Sequence, residues 1–275
     1  MNNLKERFMD KRPVLYMDSG IGGIPYCQYF VKRNPDETVH YLADRESFPY
    51  GPRERGEVAA ILTALMEKIV KAFNPKMIVI ACNTATISAI EELRRRFTGL
   101  FFVGTVPAVL PAARASKSGK VGVIATARTI ADPCIRQLAG NACEISGIAA
   151  PDMVEFVDRR FAASSEDEKR DIVRKYTSLF REAGVDSVVL GCTHFLFLKK
   201  EFEQEAAPDI AIFDSVDGVT RRAESLLDSN ALRANGAPRG ESKFLLTGPQ
   251  AADLSWQSWA GYLGFRLTLL DDACR

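Results

Sequence analysis

Apolar and polar residues fall along this chain in blocks rather than in strict alternation. Short runs rich in β-branched residues, PVLYMDS, TVHYLAD, MIVIACN, LFFVGTV, KVGVIAT, SVVLGCT and IAIFDSV, recur between longer mixed segments. A continuous apolar strand suits a sheet covered on both faces, because neither of its sides meets water. The stretches Val58 to Phe73, Ala85 to Phe97 and Ser165 to Ala183 carry apolar residues at three- and four-residue spacing with charges between. That is the pattern of a helix burying one stripe. Alternating strands and helices predict an α/β fold with mostly parallel, doubly wound sheets.

The chain also reads as two halves of similar plan, offset by about 110 residues. VLYMDSGIGG resembles VGVIATARTI, each an apolar strand ending in small polar residues, and IVIACNTAT with Cys82 resembles VVLGCTHF with Cys192. Any α/β chain repeats strands at some interval, but here two features recur in the same order. The expectation is two pseudo-symmetric domains with an active-site cleft between them: residues 1–108 plus 222–275, and residues 109–221. The join falls in VPAVLPAARASKSGK. After Asp214 come a helix-like segment, the polar stretch DSNALRANGAPRGES, the strand candidate KFLLTG, a closing helix and FRLTLL. This tail is expected to return and complete the first domain.

Charge narrows the choice of partner. With 36 basic and 35 acidic side chains there is no global footprint for nucleic acid or an anionic membrane, so a small molecule is expected. No run approaches ~20 apolar residues, and MNNLKERFMDKRP lacks the apolar centre of a secretory signal, so a cytoplasmic location is expected. The six cysteines, at 27, 82, 134, 143, 192 and 274, show no CxxC pair and read as free thiols.

Ligands of open α/β sheets bind beyond the carboxyl ends of the strands, where Asp18, Cys82, Thr126 and Cys192 are expected. Two such domains facing each other would set the cysteines on opposite sides of a ligand. Inversion at carbon needs that arrangement: a base on one face and an acid on the other, roles a thiol of pKa about 8.5 can exchange. The competing reading is that both are buried apolar thiols, the class to which Cys27, Cys134, Cys143 and Cys274 are assigned. The neighbours favour chemistry. Asn83 and Thr84 follow one cysteine, Thr193 and His194 the other, and such side chains together with helix-start N–H groups can hold a carboxylate. His194 can assist Cys192 directly, whereas His40, inside an apolar strand, reads as structural. DSGIGG lacks the GxGxxG dinucleotide arrangement, and no P-loop is present. Asp18 can take an ammonium group or assist Cys82, Ser19 can take a carboxylate, and FPYG reads from its residues as a turn.

The motifs MDSGIGG, ADRESFPYG, VIACNTAT, GTVPAV, VGVIATART, VLGCTHF and FDSV occur in this order through nearly the whole chain. Together they resemble the bacterial glutamate racemase family, within the aspartate/glutamate racemase superfamily. The resemblance implies that Cys82 acts on the D-enantiomer and Cys192 on the L-enantiomer, assisted by Asp18 and His194 respectively. Asp18 and Ser19, Tyr50 and Gly51, Asn83 and Thr84, and Thr193 and His194 then fall on the family's substrate-binding pairs, with Thr126 added from its strand-end position. It further implies no cofactor and no metal, a homodimer, and a supply of D-glutamate for peptidoglycan and hence for cell-wall biogenesis and cell shape. The chain departs from the family pattern at Asp132 and Ile135, where a serine and a tyrosine are common. It departs again at Asp158 in place of a glutamate, and at Phe195 to Leu198, where tyrosine–proline is common. Racemisation of aspartate or another small amino acid stays open, as does a non-catalytic amino-acid-binding protein. A metal- or thiol-sensing module of Cys82, Cys192 and His194 lacks an apparent fourth zinc ligand.

Overall fold

The structure, a computed structural model, describes residues 9–140, 142–236, 239–248 and 254–274. The charged N-terminal residues 1–8 and positions 237–238 of the polar stretch lie outside them. In chain order the elements begin β1 (Val14–Asp18), α1 (Ile24–Arg33), β2 (Val39–Ala43), α2 (Arg55–Phe73), β3 (Met77–Ile80), α3 (Asn83–Arg96) and β4 (Phe101–Gly104). There follow α4 (Val109–Ala115), β5 (Lys120–Ala125), α5 (Ala127–Ala131), α6 (Cys134–Ala139), β6 (Glu144–Ala149), α7 (Pro151–Arg159), α8 (Glu166–Glu182), β7 (Ser187–Leu190), α9 (Lys199–Ala206) and β8 (Ala211–Phe213). The chain closes with α10 (Val216–Ser229), β9 (Lys243–Leu246), α11 (Leu254–Leu263), β10 (Arg266–Leu269) and α12 (Leu270–Ala273).

Two compact units result: residues up to Thr105 together with those from Val216 onward, and Val106–Ser215. The first holds a six-stranded sheet in the order β10-β9-β2-β1-β3-β4, the second a four-stranded sheet in the order β6-β5-β7-β8. Every neighbouring pair in both is parallel. The inner order β2-β1-β3-β4 is repeated by β6-β5-β7-β8, so β1 corresponds to β5 and β3 to β7. In each unit the chain steps to one side of its first strand, then crosses to the other. Right-handed crossovers in opposite directions place helices on both faces, which is why the strands carry apolar residues without alternation. All five residues of β1 are buried, as are those of β2.

Local chemistry sets the boundaries. Ser165 accepts from the N–H of Glu168 while the Glu168 carboxylate accepts from the Ser165 N–H, a capping box that starts α8 behind three acidic first-turn residues. Asn74 ends α2 in the left-handed region at φ 43, a conformation asparagine tolerates better than most side chains. The strand EISGIA was absent from the expected set. It is β6, an edge strand whose residues are half-buried or exposed, so it lacks the unbroken apolar signature of the central strands.

The first unit is closed by the tail, with β9 pairing with β2 and β10 with β9. Two buried polar contacts secure it. The Lys76 ammonium, at 2.6 Å from Glu37, also donates to the carbonyls of Asp10 and Leu232, while Glu37 accepts from the N–H of Ala234. Removing one partner from such a pair costs about 3–5 kcal/mol, because the other charge is left buried alone. His40 Nδ1 accepts from the N–H of Lys243, and Phe73 packs edge-on against its ring.

Burial holds the His40 imidazole down at about 4, against 6.5 for an exposed ring. Between those values the unfolded chain binds a proton that the folded chain does not, so the stability contributed above pH 6.5 is lost as pH falls towards 4. Lowering the pH from about 7 to about 5 is expected to remove about 2 kcal/mol on this account. His194, also held at about 4 by burial, adds a similar loss. Urea unfolding of His40→Gln at both pH values tests this. The variant should lose roughly half of the pH dependence, and an unchanged dependence would rule out His40 as a source.

Candidate active site

Strand order reverses at β1 in the first unit and at β5 in the second, and ligands of open sheets bind at such switch points. In the first unit the crevice is framed by the ends of β1 and β3. β1 ends on Asp18, wholly buried, whose Oδ1 accepts from the Gly20 N–H at 2.7 Å and turns the chain through Ser19. Tyr41 of β2 donates its hydroxyl to the Gly20 carbonyl at 2.7 Å, fixing the same turn from the neighbouring strand. Beside it the Ala81 N–H donates to the Met17 carbonyl at 2.7 Å, so the ladder continues one rung past β3 and delivers Cys82 next to the β1 end.

Cys82 occupies the N-cap of α3, where serine, threonine or aspartate is usual, and its Sγ accepts from the Ala85 N–H at 3.5 Å. One N–H of the first turn thus points at sulfur. Asn83 and Thr84 follow, both about 97 % buried by their 3 % exposure. The Asn83 Oδ1 is buried with no hydrogen-bond partner among the described residues, leaving an acceptor at the head of the helix. Behind the thiol, Thr86 and Thr105 both donate their hydroxyls to the Ile80 carbonyl, and Thr105 N–H donates to Thr86 Oγ1.

Tyr50 and Gly51 lie on the loop after β2. Tyr50 is 1 % exposed, and its hydroxyl donates to the Asp44 carboxylate at 2.5 Å. Burial raises this phenol well above its ordinary value. The Asp44 charge adds to the rise, and Cys82 and Asp18 lie near enough to contribute. Arg53 Nε donates to the Ser47 carbonyl and the Arg53 N–H to that of Tyr50, closing the loop on itself.

The second unit repeats the plan with different side chains. β5 leads into Thr126, the N-cap of α5, whose Oγ1 accepts from the Thr129 N–H at 3.3 Å. The Gly191 N–H donates to the Ile124 carbonyl at 2.7 Å, matching the rung at Ala81, and Cys192 follows at the head of a 3₁₀ turn, Thr193–Leu198. Thr193 and His194 are buried there at 2 % and 3 % exposure. Burial keeps the His194 imidazole neutral at neutral pH, with its pKa near 4.

The first unit therefore gathers Asp18, Ser19, Tyr50, Gly51, Cys82, Asn83 and Thr84, and the second gathers Thr126, Cys192, Thr193 and His194. Cys27 is wholly buried, with its thiol pushed up strongly by desolvation, and none of the six cysteines, all within the described residues, forms a disulfide. Among the described residues no group of three or more His, Cys, Asp or Glu side chains is poised for a metal. The departures have structural roles. Ile135 joins the core of the second unit with Val121 and Val189, and Asp132 accepts from the Cys134 N–H to start α6. Phe195 and Leu198 are buried outright, while Phe197 packs against Phe161 with the rings tilted by 59° and their centroids 5.5 Å apart. Sequence reasoning passed over Tyr41 and Asp44. Their signal was Asp44 itself, an aspartate closing an apolar strand just as Asp18 does.

Residues 28–223 match the family described as Asp/Glu/Hydantoin racemase. The chain belongs to that family and is an amino-acid racemase, an isomerase by reaction class. It is 34 % identical over 241 residues to the glutamate racemase of Treponema pallidum (strain Nichols), covering 86 % of this chain and 88 % of that protein. It is 36 % identical over 227 residues to the glutamate racemase of Roseiflexus sp. (strain RS-1), covering 82 % of each. The crystal structure of Escherichia coli glutamate racemase in complex with L-glutamate and the activator UDP-MurNAc-ala superposes with a TM-score of 0.82. Its sequence is 28 % identical, over 94 % of this chain and 97 % of that one.

The crevice of the first unit depends on close backbone approach at Gly23. A Cβ built there would meet Ala81 Cβ at 2.9 Å, Asp18 Cβ at 3.0 Å and the Ala81 carbonyl at 3.1 Å. Gly23→Ala is expected to cost about 1–3 kcal/mol of stability and to lower turnover, because the atoms it displaces belong to Asp18 and to the residue before Cys82. Denaturant unfolding and racemase assays on the same preparation check this. Full activity with unchanged stability would show that the contact relaxes freely.

Proposed function

We propose that the protein interconverts L- and D-glutamate by a cofactor-independent two-base reaction, with Cys82 acting on the D-enantiomer and Cys192 on the L-enantiomer. The observation that carries this reading is the placement of the two thiols: each follows the equivalent strand of its unit by two residues, beside a switch point. The relatives named glutamate racemase, and the L-glutamate bound by the Escherichia coli enzyme, favour glutamate as substrate. A one-methylene difference is worth only about 1–3 kcal/mol in a pocket, so aspartate is the competitor to measure.

In the reaction one thiolate removes the α-proton and becomes a thiol. The thiol on the other face then donates its proton to the planar carbanion and becomes a thiolate. Charge and protons balance, and the sulfurs exchange roles with direction. The α-proton is weakly acidic, so negative charge developing on the α-carboxylate must be met by fixed donors, each worth up to several kcal/mol in a preorganised site. We assign this task to the N–H groups of Asn83 and Thr84 at the head of α3 and to the hydroxyls of Ser19, Thr84 and Thr193, while the Thr126 hydroxyl, which donates to Thr129 Oγ1, shapes its turn. The open Oδ1 of Asn83 suits the substrate ammonium. Asp18 assists Cys82, and His194 meets Cys192 as a neutral imidazole, taking up charge only as the proton moves. Tyr50 and Gly51 complete the substrate contacts. D-Glutamate made here serves peptidoglycan synthesis in the cytoplasm, and the working form is a homodimer. Among the described residues no helix is long and apolar enough to cross a membrane.

Incubation with L-glutamate in deuterated water should give α-deuterated glutamate of both configurations, at a rate well above that with aspartate. Cys82→Ser and Cys192→Ser should each abolish inversion. Absence of α-exchange by folded protein would sink glutamate racemisation, and preferential turnover of aspartate would move the substrate to the shorter acid.

A further inference from the structure

Asp44 stands one residue beyond β2, is 3 % exposed, and uses its N–H and both carboxylate oxygens. Its N–H donates to the Asp18 carbonyl at 2.9 Å. One carboxylate oxygen accepts from the Tyr50 hydroxyl at 2.5 Å and the other from the Thr247 hydroxyl at 2.7 Å. Thr247 follows β9; its N–H donates to the Ala43 carbonyl at 3.2 Å, and its Oγ1 accepts from the Glu46 N–H at 3.1 Å. The backbone of Asp44 thus holds the end of β1, while its side chain joins the loop bearing Tyr50 and Gly51 to the returning tail.

The second unit offers an internal control. Its equivalent of Asp44 is Ala150, whose N–H makes the matching bond to the Ala125 carbonyl at 3.0 Å. The fold therefore needs the backbone contact but not a carboxylate. A buried carboxylate is costly unless its oxygens are hydrogen-bonded, and both acceptors here are filled by hydroxyls. Thr247 lies beyond residues 28–223, the segment matched by the family model.

We infer that Asp44 and Thr247 are positioning residues for the substrate loop: acting through Tyr50, they hold Tyr50 and Gly51 in register with Asp18. Substrate recognition by the first unit is then completed by the chain's last strands. This rests on the glutamate reading above for its kinetic consequence, but the clamp itself can be measured without substrate.

The test uses Thr247→Val in the full chain, which removes the hydroxyl at constant shape, with Thr247→Ser as the conservative variant. In Thr247→Val, KM for glutamate should rise about tenfold in both directions while kcat stays within about threefold, and Thr247→Ser should restore KM. Tyr50→Phe should give a similar rise from the other side of the carboxylate. The double variant should be no worse than about twofold beyond the larger single effect, because both act through Asp44. Amide hydrogen exchange over residues 48–53 should be about tenfold faster in Thr247→Val. A parental KM in a folded Thr247→Val, or a fall in kcat at constant KM, would overturn the inference. If the parent does not racemise glutamate the functional reading fails alone, and exchange decides the clamp: faster exchange upholds it and unchanged exchange overturns it. If Thr247→Val does not fold, the same two readouts on Tyr50→Phe decide it.

Discussion

Each thiol depends on one extra rung of a parallel ladder. Beyond the last residue of β3 the Ala81 N–H still reaches the Met17 carbonyl, and beyond β7 the Gly191 N–H still reaches that of Ile124, both at 2.7 Å. These bonds keep the chain extended until the cysteine, where it turns abruptly into helical geometry. Backbone packs closely beside each turn. Gly23 and Gly191 are small for this reason: a Cβ at either would press on the neighbouring strand end within 3.1 Å. Sheet topology, ladder and side-chain size thus converge on sulfur placement, with little left to loop conformation.

Much of this was legible in the residues. Continuous apolar runs located the central strands because burial on two faces erases alternation, and the doubled plan showed in the likeness of VLYMDSGIGG to VGVIATARTI and in the paired strand ends at Cys82 and Cys192. What escaped was governed by tertiary context. β6 is an edge strand with Glu144 and Ser146 among its residues, so its pattern resembles a polar loop until Val121 and Ile124 of β5 are seen beside it. Asp44 read as one acid among many, and its partner Thr247 is about 200 residues away in sequence. No local period reports a hydrogen bond of that span.

The two units share a backbone plan and divide the chemistry between different side chains. In the first, charge and hydroxyls crowd the crevice: Asp18, Asp44, Tyr41 and Tyr50 all lie within electrostatic reach of one another or of Cys82. In the second, Ala150 stands where the first unit has Asp44, Phe195 and Leu198 are buried in the turn that follows Cys192, and His194, two residues from the thiol, is kept neutral by burial. In the reaction proposed above, the thiol beside a carboxylate and the thiol beside a neutral imidazole would do the same work from different electrostatic surroundings.

The returning tail also bears on the order in which the protein is made. β1 to β4 leave the ribosome first, the whole of the second unit follows, and only then do β9 and Thr247 appear. During synthesis the loop at Tyr50 has its carboxylate anchor at Asp44 but not the hydroxyl that completes it. Residues 106–215 contain every strand of their sheet and can close at once, while the first unit must wait with the β2 edge unpaired. The nascent chain therefore carries a finished half and an unfinished half, and the same tail that covers the exposed edge brings the last hydrogen bond to the Asp44 carboxylate under the loop at Tyr50.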